Sequence, residues 1–523
     1  MHPPPLDDNF EQGSTPTLGG EVEQETRLDE KDALPAVPQG LTVSRVKGEP
    51  YFLLAFAKEP AHPDDPLCFP VRKKARLTVL ASLLVMLSAM VSSCSSGAAP
   101  YIQADLGGNS ALPLSMFIFG YVAGPFVWSP LSEAYGRRPF FLIHGIFFSL
   151  FTGVCAAAPT YGALLVLRFI SGFFGAVAMT NSGALCGDIY SPAKRGTAMA
   201  YYSVATFSGP ALGPIIASFA AERQGWPWAF TIPAILSSAT FVALSFGCPE
   251  TYPPVLVSRV AKRLRAEKGG EFEMVFSALE LAEMRSRELP RRERYAKEAW
   301  RLLGTPLVMI ATEPIVTLCA AFMAAVYGLI YLLFEAYPII FSEIHHLGPG
   351  YSSLPFLGTF VGAVFSVPVN LWFQKRYLAE VKHAGKHLPE MRLPPAATGG
   401  PLIVVAFLWL GWGGYKLSVH WIVPVLSGLP QGIGSVLTFR AIQTYTIDAY
   451  GHYSASALAA AVVSRSVAGA VFPLFAPALF HAIGTQWACT LLAGVMLLLC
   501  PVPFLFQRYG ARLRKNSRFA PDK

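Results

Sequence analysis

The stretch Gly120-Tyr-Val-Ala-Gly124-Pro125-Phe-Val-Trp-Ser-Pro130-Leu131-Ser132-Glu133-Ala-Tyr-Gly136-Arg137-Arg138-Pro139 decides how this chain is read. Two glycines four residues apart let one helix lie close against another. Gly136 then permits a tight turn, and Glu133 with Arg137 and Arg138 supplies charge-assisted hydrogen bonds to neighbouring helix ends. An apolar, close-packing helix that ends in a compact charged turn suits a short loop at a membrane surface.

Further apolar runs lie on both sides of it. In the first half they cover 75–97, 112–130, 140–157, 161–181, 197–220 and 228–248, and in the second half 306–341, 352–373, 396–413, 420–445, 456–480 and 488–506. A span needs about 20 mostly apolar residues to cross roughly 30 Å of hydrocarbon. The chain is therefore expected to be an all-α membrane protein with twelve transmembrane helices. Composition agrees, since 53% of its 523 residues are hydrophobic and 14% charged, against roughly 25% charged in soluble domains. The net charge of +8 does not point to nucleic acid, because Lys and Arg sit in short clusters between the apolar runs.

Cys94, Cys155, Cys248, Cys319, Cys489 and Cys500 fall in or beside apolar runs without C-x-x-C spacing and read as packing residues. His345 and His346 point apart and lack further ligands, so no metal is expected there, and no cofactor site is visible. No H-E-x-x-H, G-x-S-x-G or Walker motif occurs, which argues against an enzyme and against direct ATP drive.

Residues 1–72 are rich in Pro, Gly, Asp and Glu and are expected to form a disordered cytosolic tail. A six-helix bundle follows over 73–248, then a charged cytosolic loop over 249–305, where Glu280, Glu283 and Arg287 have the spacing of a solvated helix. A second six-helix bundle takes 306–508, and 509–523 form a cytosolic tail. No cleavable leader is visible, so the first span is expected to insert uncleaved. Arg72, Lys73, Lys74 and Arg76, then Arg137 and Arg138, then Lys194 and Arg195, and the central loop all fall on one side of the membrane, with Arg223 and Lys416 as exceptions. By the positive-inside rule that side is cytosolic.

The halves look duplicated. Asp188-Ile-Tyr190 ends the fourth run and Asp448-Ala-Tyr450 the tenth, while Gly209, Pro210 and Pro214 in the fifth correspond to Pro473 and Pro477 in the eleventh. Parallel repeats of this kind are related by a pseudo-twofold axis along the membrane normal and bind substrate between them.

The opening stretch resembles the loop motif of the major facilitator superfamily, in the form found in the fungal drug and polyamine proton antiporter group, with Ser129 standing where the family has glycine. Other stretches are similar to that group in the same order. They are Arg168 with Gly172 and Gly175, then Asp188-Ile-Tyr-Ser-Pro-Ala-Lys194-Arg195-Gly196, and Ser208-Gly209-Pro210-Ala-Leu-Gly213-Pro214. Pro249-Glu250-Thr251, Glu313-Pro314, and Ser454-Ala-Ser with Phe472-Pro-Leu-Phe continue the series. The resemblance runs from about Arg72 onward. It implies a proton-coupled secondary transporter, in antiport, that exports drugs, polyamines or secondary metabolites from the cell membrane as a monomer. Proton symport for nutrient uptake is the alternative. It also implies that Gly209, Pro210, Gly213 and Pro214 seal one conformation, and that Arg168 takes part in proton transfer or tunes the pKa of an acid, a structural ion pair being the alternative.

The residues add their own candidates. Arg168 lies roughly 10 Å inside its span and so faces the interior. Tyr327, Tyr331 and Glu335 recur every four residues and share one helical face, where a carboxyl among aromatic rings can attract a cation or hold a proton; tyrosines near a membrane interface also serve as anchors. Glu133, Gly136, Arg137, Arg138 and Asp188 are expected to form a cytosolic gate, with Asp448, Arg440 and Arg465 available in the second half.

The orientation is testable. In a cysteine-free background, single cysteines placed along residues 250–301 are expected to resist membrane-impermeant thiol reagents applied to intact cells and to react after permeabilisation. Reaction in intact cells would reverse the topology.

Overall fold

The computed structural model describes residues 37–45, 51–57, 62–269, 272–288, 290, 293, 300, 304–385, 388–515 and 517–519. Long apolar runs become helices because in hydrocarbon every backbone N–H and C=O has to be satisfied within its own segment. Among the described residues twelve helices are long and apolar enough to cross a membrane.

In the first half the spans are α1 (Val71–Gly97), α3 (Leu112–Tyr135), α4 (Arg137–Cys155), α5 (Tyr161–Ile189), α6 (Pro192–Gln224) and α7 (Trp228–Gly247), with a short α2 (Ala99–Leu106) after the first. The charged middle contributes α8 (Pro253–Lys268) and α9 (Ala278–Glu288). The second half opens with a short α10 (Thr305–Thr312), followed by α11 (Pro314–Tyr337), α12 (Phe356–Ala384) and α13 (Pro394–Gly414). Then come α14 (Ile422–Leu426) running into α15 (Gly428–Tyr450), α16 (Ser454–Ile483), and α17 (Thr485–Leu499) continued by α18 (Pro501–Lys515). Large apolar side chains such as Val166, Ile235, Phe246, Phe365 and Leu498 stand exposed on the outside of the bundle, as a surface solvated by lipid requires.

Glycines set the spacing of the helices. A Cβ on Gly172 would come within 2.0 Å of the Phe117 carbonyl oxygen, and one on Gly120 within 2.3 Å of that of Phe169, so α3 and α5 touch backbone to backbone. The second half repeats the device where α12 meets α15, with Gly432 against Thr359 O at 2.3 Å and Gly362 against Leu429 O at 2.3 Å. Likewise a Cβ on Gly209 or Gly213 of α6 would come within 2.2 Å of the Met86 or 2.5 Å of the Met90 carbonyl oxygen of α1. Their counterpart is Gly469 of α16, which packs on Tyr327 of α11. α6 runs as one helix through Pro210 and Pro214, and α16 through Pro473 and Pro477.

A separate compact unit combines parts of the segments outside the bundle. β1 (Leu41–Arg45) pairs antiparallel with β2 (Phe52–Phe56), which pairs in parallel with β3 (Val275–Ser277). Leu41, Leu54 and Val275 form a small core with Val257, Val260, Ala261 and Leu264 of α8. Ser277 and Glu280 make a reciprocal cap at the start of α9, the Ser277 N–H donating to Glu280 Oε2 at 3.0 Å and the Glu280 N–H to Ser277 Oγ at 3.2 Å. The expected disordered tail over 1–72 is thus corrected for its strand residues. Two five-residue strands bury too little alone, but α8 and β3 from the central segment complete their core. Residues 1–36 and the side chain of Arg287 lie outside the described residues. α18 also carries the second bundle past 508 into the expected C-terminal tail.

Gly172→Ala is expected to destabilise the purified protein by about 1–3 kcal/mol, because the Phe117 carbonyl has to move away. Gly187→Ala, whose Cβ meets nothing within 4 Å, should leave thermal unfolding in detergent unchanged. Equal stability of the two variants would show that these carbonyl contacts do not set the helix spacing.

Candidate functional site

At the end of the bundle where α3 turns into α4, Gly136 adopts φ 98° and its N–H donates to Ser132 O at 3.1 Å, ending α3 in a conformation that favours glycine. The turn aims Arg137 inward. Its Nε lies 3.3 Å from Asp188 Oδ2 at the end of α5, and its Nη1 donates to Ser132 Oγ at 2.7 Å. Of the expected gate residues, Arg137 and Asp188 are thus in contact; Glu133 forms no ion pair among the described residues, and Arg138 is exposed.

The second half has a matching pair that sequence reading missed. Arg392, just before α13, places Nε 2.9 Å from Asp448 Oδ2 near the end of α15 and its guanidinium 3.7 Å over the Tyr377 ring. The signal was present as Arg392-Leu-Pro394, which repeats Arg137-Arg-Pro139 at the corresponding turn. Each pair joins two helices of its own half. Nearby, Glu313 accepts hydrogen bonds from the Tyr450 hydroxyl at 3.2 Å and the Arg518 N–H at 3.1 Å.

Arg168 is fully buried in α5 and meets no carboxylate among the described residues. Its Nε donates to Pro113 O at 3.0 Å, Nη1 to Val91 O at 2.8 Å, and Nη2 to Ser92 O at 2.8 Å and Ser95 Oγ at 3.3 Å, with the Phe117 ring 4.4 Å from its carbon. It ties α5 to α1 and to the start of α3.

The expected face of α11 divides in two. Tyr327 and Tyr331 lie together with hydroxyls 3.4 Å apart, and Tyr331 bonds across the halves to Ser92 of α1 at 2.8 Å. Tyr327 faces a cation: the Arg465 guanidinium of α16 stands 5.1 Å from its ring and 4.9 Å from that of Phe439 on α15. Glu335 is buried away from them, its Oε2 accepting from Ser110 Oγ of the first half at 3.4 Å. Next to it, Ser96 Oγ of α1 donates to Phe334 O at 2.9 Å, and Ser218 of α6 meets Ser353 at 2.6 Å. Hydrogen bonds between the halves therefore gather at the end opposite the Arg137 turn. The tyrosines and the acid do not form one pocket, because a helical stripe fixes direction and leaves depth free: Glu335 lies roughly 12 Å farther along α11 than Tyr327.

The sequence pattern of the Major Facilitator Superfamily matches residues 81–473. The chain belongs to that superfamily. It is thus a multi-pass membrane transporter and not an enzyme. Over 496 residues it is 37% identical to the major facilitator superfamily multidrug transporter mdrA of Aspergillus fumigatus, covering 92% of this chain and 80% of that protein. An MFS-type efflux pump of Trichophyton rubrum is 35% identical over 467 residues, covering 88% of this chain and 77% of the pump. The solved structure of the proton:xylose symporter XylE with 6-bromo-6-deoxy-D-glucose matches at TM-score 0.59 and 18% identity, over 84% of this chain and 96% of XylE, and has the same fold.

A double-mutant cycle checks the second pair in this superfamily member. Arg392→Gln and Asp448→Asn are expected to couple by about 0.5–3 kcal/mol in unfolding experiments. Glu133→Gln should change stability by less than about 0.5 kcal/mol. Additive effects of the first two substitutions would show that their contact contributes nothing.

Proposed function

We propose that this transporter exports small organic molecules in exchange for protons by alternating access, working as a monomer in the cell membrane with both termini and the central segment in the cytosol. The observation that carries the reading is Glu335, a buried acid of the second half whose one hydrogen bond among the described residues goes to Ser110 of the first. A carboxyl placed there can bind and release a proton, and each change alters a contact between halves. Proton occupancy is thereby linked to whether that end is closed.

Names of relatives over about nine-tenths of the chain, a multidrug transporter and an efflux pump, support export over uptake. The clustered Lys and Arg at the Arg137 end support the orientation. In this arrangement the external end is closed by Ser92, Ser96, Ser110 and Ser218 with their partners. Gly209, Pro210, Gly213 and Pro214 hold α6 tightly on α1 beneath that closure. Arg137 with Asp188, and Arg392 with Asp448, keep the cytosolic ends of each half rigid, so that the halves close there as bodies; Gly136 shapes the first of these turns, and Arg138 lies beside it. Arg168 keeps α1 in register with α5, which positions Ser92 and Ser96 for the contact with α11.

Inverted membrane vesicles loaded by an imposed pH gradient of either sign test the scheme. With an acidic interior, the wild type is expected to accumulate a fluorescent efflux dye, and accumulation should fall at least about tenfold in Glu335→Gln while abundance and insertion persist. Accumulation driven by the opposite gradient would favour symport and uptake. A normal pH profile in the variant would take the proton path away from Glu335.

A further inference from the structure

Among the described residues, Arg137 and Arg514 are buried at span ends and three further arginines are buried within the spans, and the partners of these three differ. Arg168 donates to three backbone carbonyls and a hydroxyl. Arg440 donates to the side-chain oxygens of Asn370 and Gln374, each at 2.9 Å. Arg465 is 5% exposed and makes no hydrogen bond or ion pair among the described residues, its Nε being sealed from solvent without an acceptor. A guanidinium carries five N–H donors; the Nε of Arg465 is left unmatched away from water, which is unfavourable, while its terminal nitrogens are not sealed from solvent. The rings of Tyr327 and Phe439 lie against it, but a cation–π contact contributes only about 0.5–2 kcal/mol and accepts no conventional hydrogen bond.

The surroundings indicate what is missing. Arg465 sits about 16 Å from the start of α16, near the middle of a roughly 30 Å hydrocarbon layer. Phe439 meets Phe207 of α6 edge to face at 5.1 Å, so the guanidinium borders the seam between the halves. The neighbourhood thus offers flat aromatic walls from both halves and one positive fork. Glu335, an axial distance of roughly 12 Å farther along α11 than Tyr327, does not reach it.

We infer that Arg465 is the recognition group of the central site, and that the transported class is organic anions, a carboxylate on a planar apolar body held between Tyr327 and the Phe207 and Phe439 rings. A carboxylate accepts two parallel N–H bonds from a guanidinium, the strongest neutral-making partner for this geometry. The aromatic rings add area and shape. This inference rests on the transport reading above and replaces the cationic substrate that a tyrosine-flanked acid suggests.

Three probes of one shape and different charge test it: 2-naphthoate, 2-naphthamide and 2-naphthylmethylammonium, with binding to the purified full chain measured by calorimetry. The wild type is expected to bind the carboxylate at least about tenfold more tightly than the amide, and the ammonium compound most weakly. Arg465→Gln should lose the preference while keeping its affinity for the amide within about twofold, which also shows that it folds; Arg465→Lys should keep part of the preference. A variant that fails to fold leaves the wild-type series to decide. Tighter binding of the ammonium compound, a carboxylate preference that survives in Arg465→Gln, or no binding of any probe to folded wild type would each overturn the inference. The transport reading is judged separately in vesicles. Amide accumulation driven by the pH gradient with no effect of Arg465 sinks only the charge assignment, whereas binding without gradient-driven accumulation of any probe sinks the transport scheme.

Discussion

Backbone contact at glycine is the constraint on which this architecture rests. Lipid tails are as apolar as leucine, so helices in a membrane gain nothing from hiding apolar side chains from one another and associate through close packing and polar contacts. Gly172 on the Phe117 carbonyl, Gly209 on that of Met86 and Gly432 on that of Thr359 bring backbones to distances that no Cβ would allow. These contacts lie inside a half. Contacts between halves are of another kind, made by hydroxyls and aromatic edges such as Ser92 with Tyr331 and Phe207 with Phe439. Glycine contacts cannot slide without a clash, whereas a hydroxyl can exchange its partner for water. The difference makes each half a body and the seam between them a surface that can open.

Buried charge follows the same division. Arg168 and Arg440 donate to acceptors in their own half, which makes them part of the scaffold. Arg137 with Asp188 and Arg392 with Asp448 staple a turn to a helix end within one half. Glu335 and Arg465 are left at the seam with fewer partners. A group that is already satisfied gains little from a ligand or a proton, so function concentrates where satisfaction is incomplete.

Much of this was legible in the residues. Span number, the division into halves and their duplication follow from run length and from Gly, Pro and Asp at corresponding places, because hydrocarbon thickness and backbone hydrogen bonding leave few alternatives. The site was legible in part. Arg137 with Asp188 was anticipated through a motif, but Arg392 was not, since its repeat shares only Arg-x-Pro and one such match is common by chance. Tyr327, Tyr331 and Glu335 were read as one face, and periodicity cannot say that Glu335 continues to another depth while Arg465 from α16 takes the ring of Tyr327. The strands at Leu41 and Phe52 were hidden because their third strand and covering helix come from more than two hundred residues later.

In the proposed scheme, the separation of a proton site at Glu335 from a recognition site at Arg465 constrains how they communicate. Two unit charges separated by about 12 Å, the helix rise between Glu335 and the Tyr327 whose ring lies beside Arg465, would interact at an effective dielectric near 20 by roughly 1.4 kcal/mol, a factor of about ten in affinity. That is a useful bias and falls short of the roughly 5.5 kcal/mol needed to reverse a conformational preference from 1:99 to 99:1. The remainder has to travel mechanically. Tyr331, Phe334 and Glu335 lie within five residues of α11 and each bonds to the first half, through Ser92, Ser96 and Ser110. Tyr331 also touches Tyr327, whose ring bears on Arg465. In the proposed scheme, opening the seam at Glu335 loosens the same helix face that bears on the guanidinium, so that a proton at one depth and an anion at another would act on a single rigid element instead of on each other.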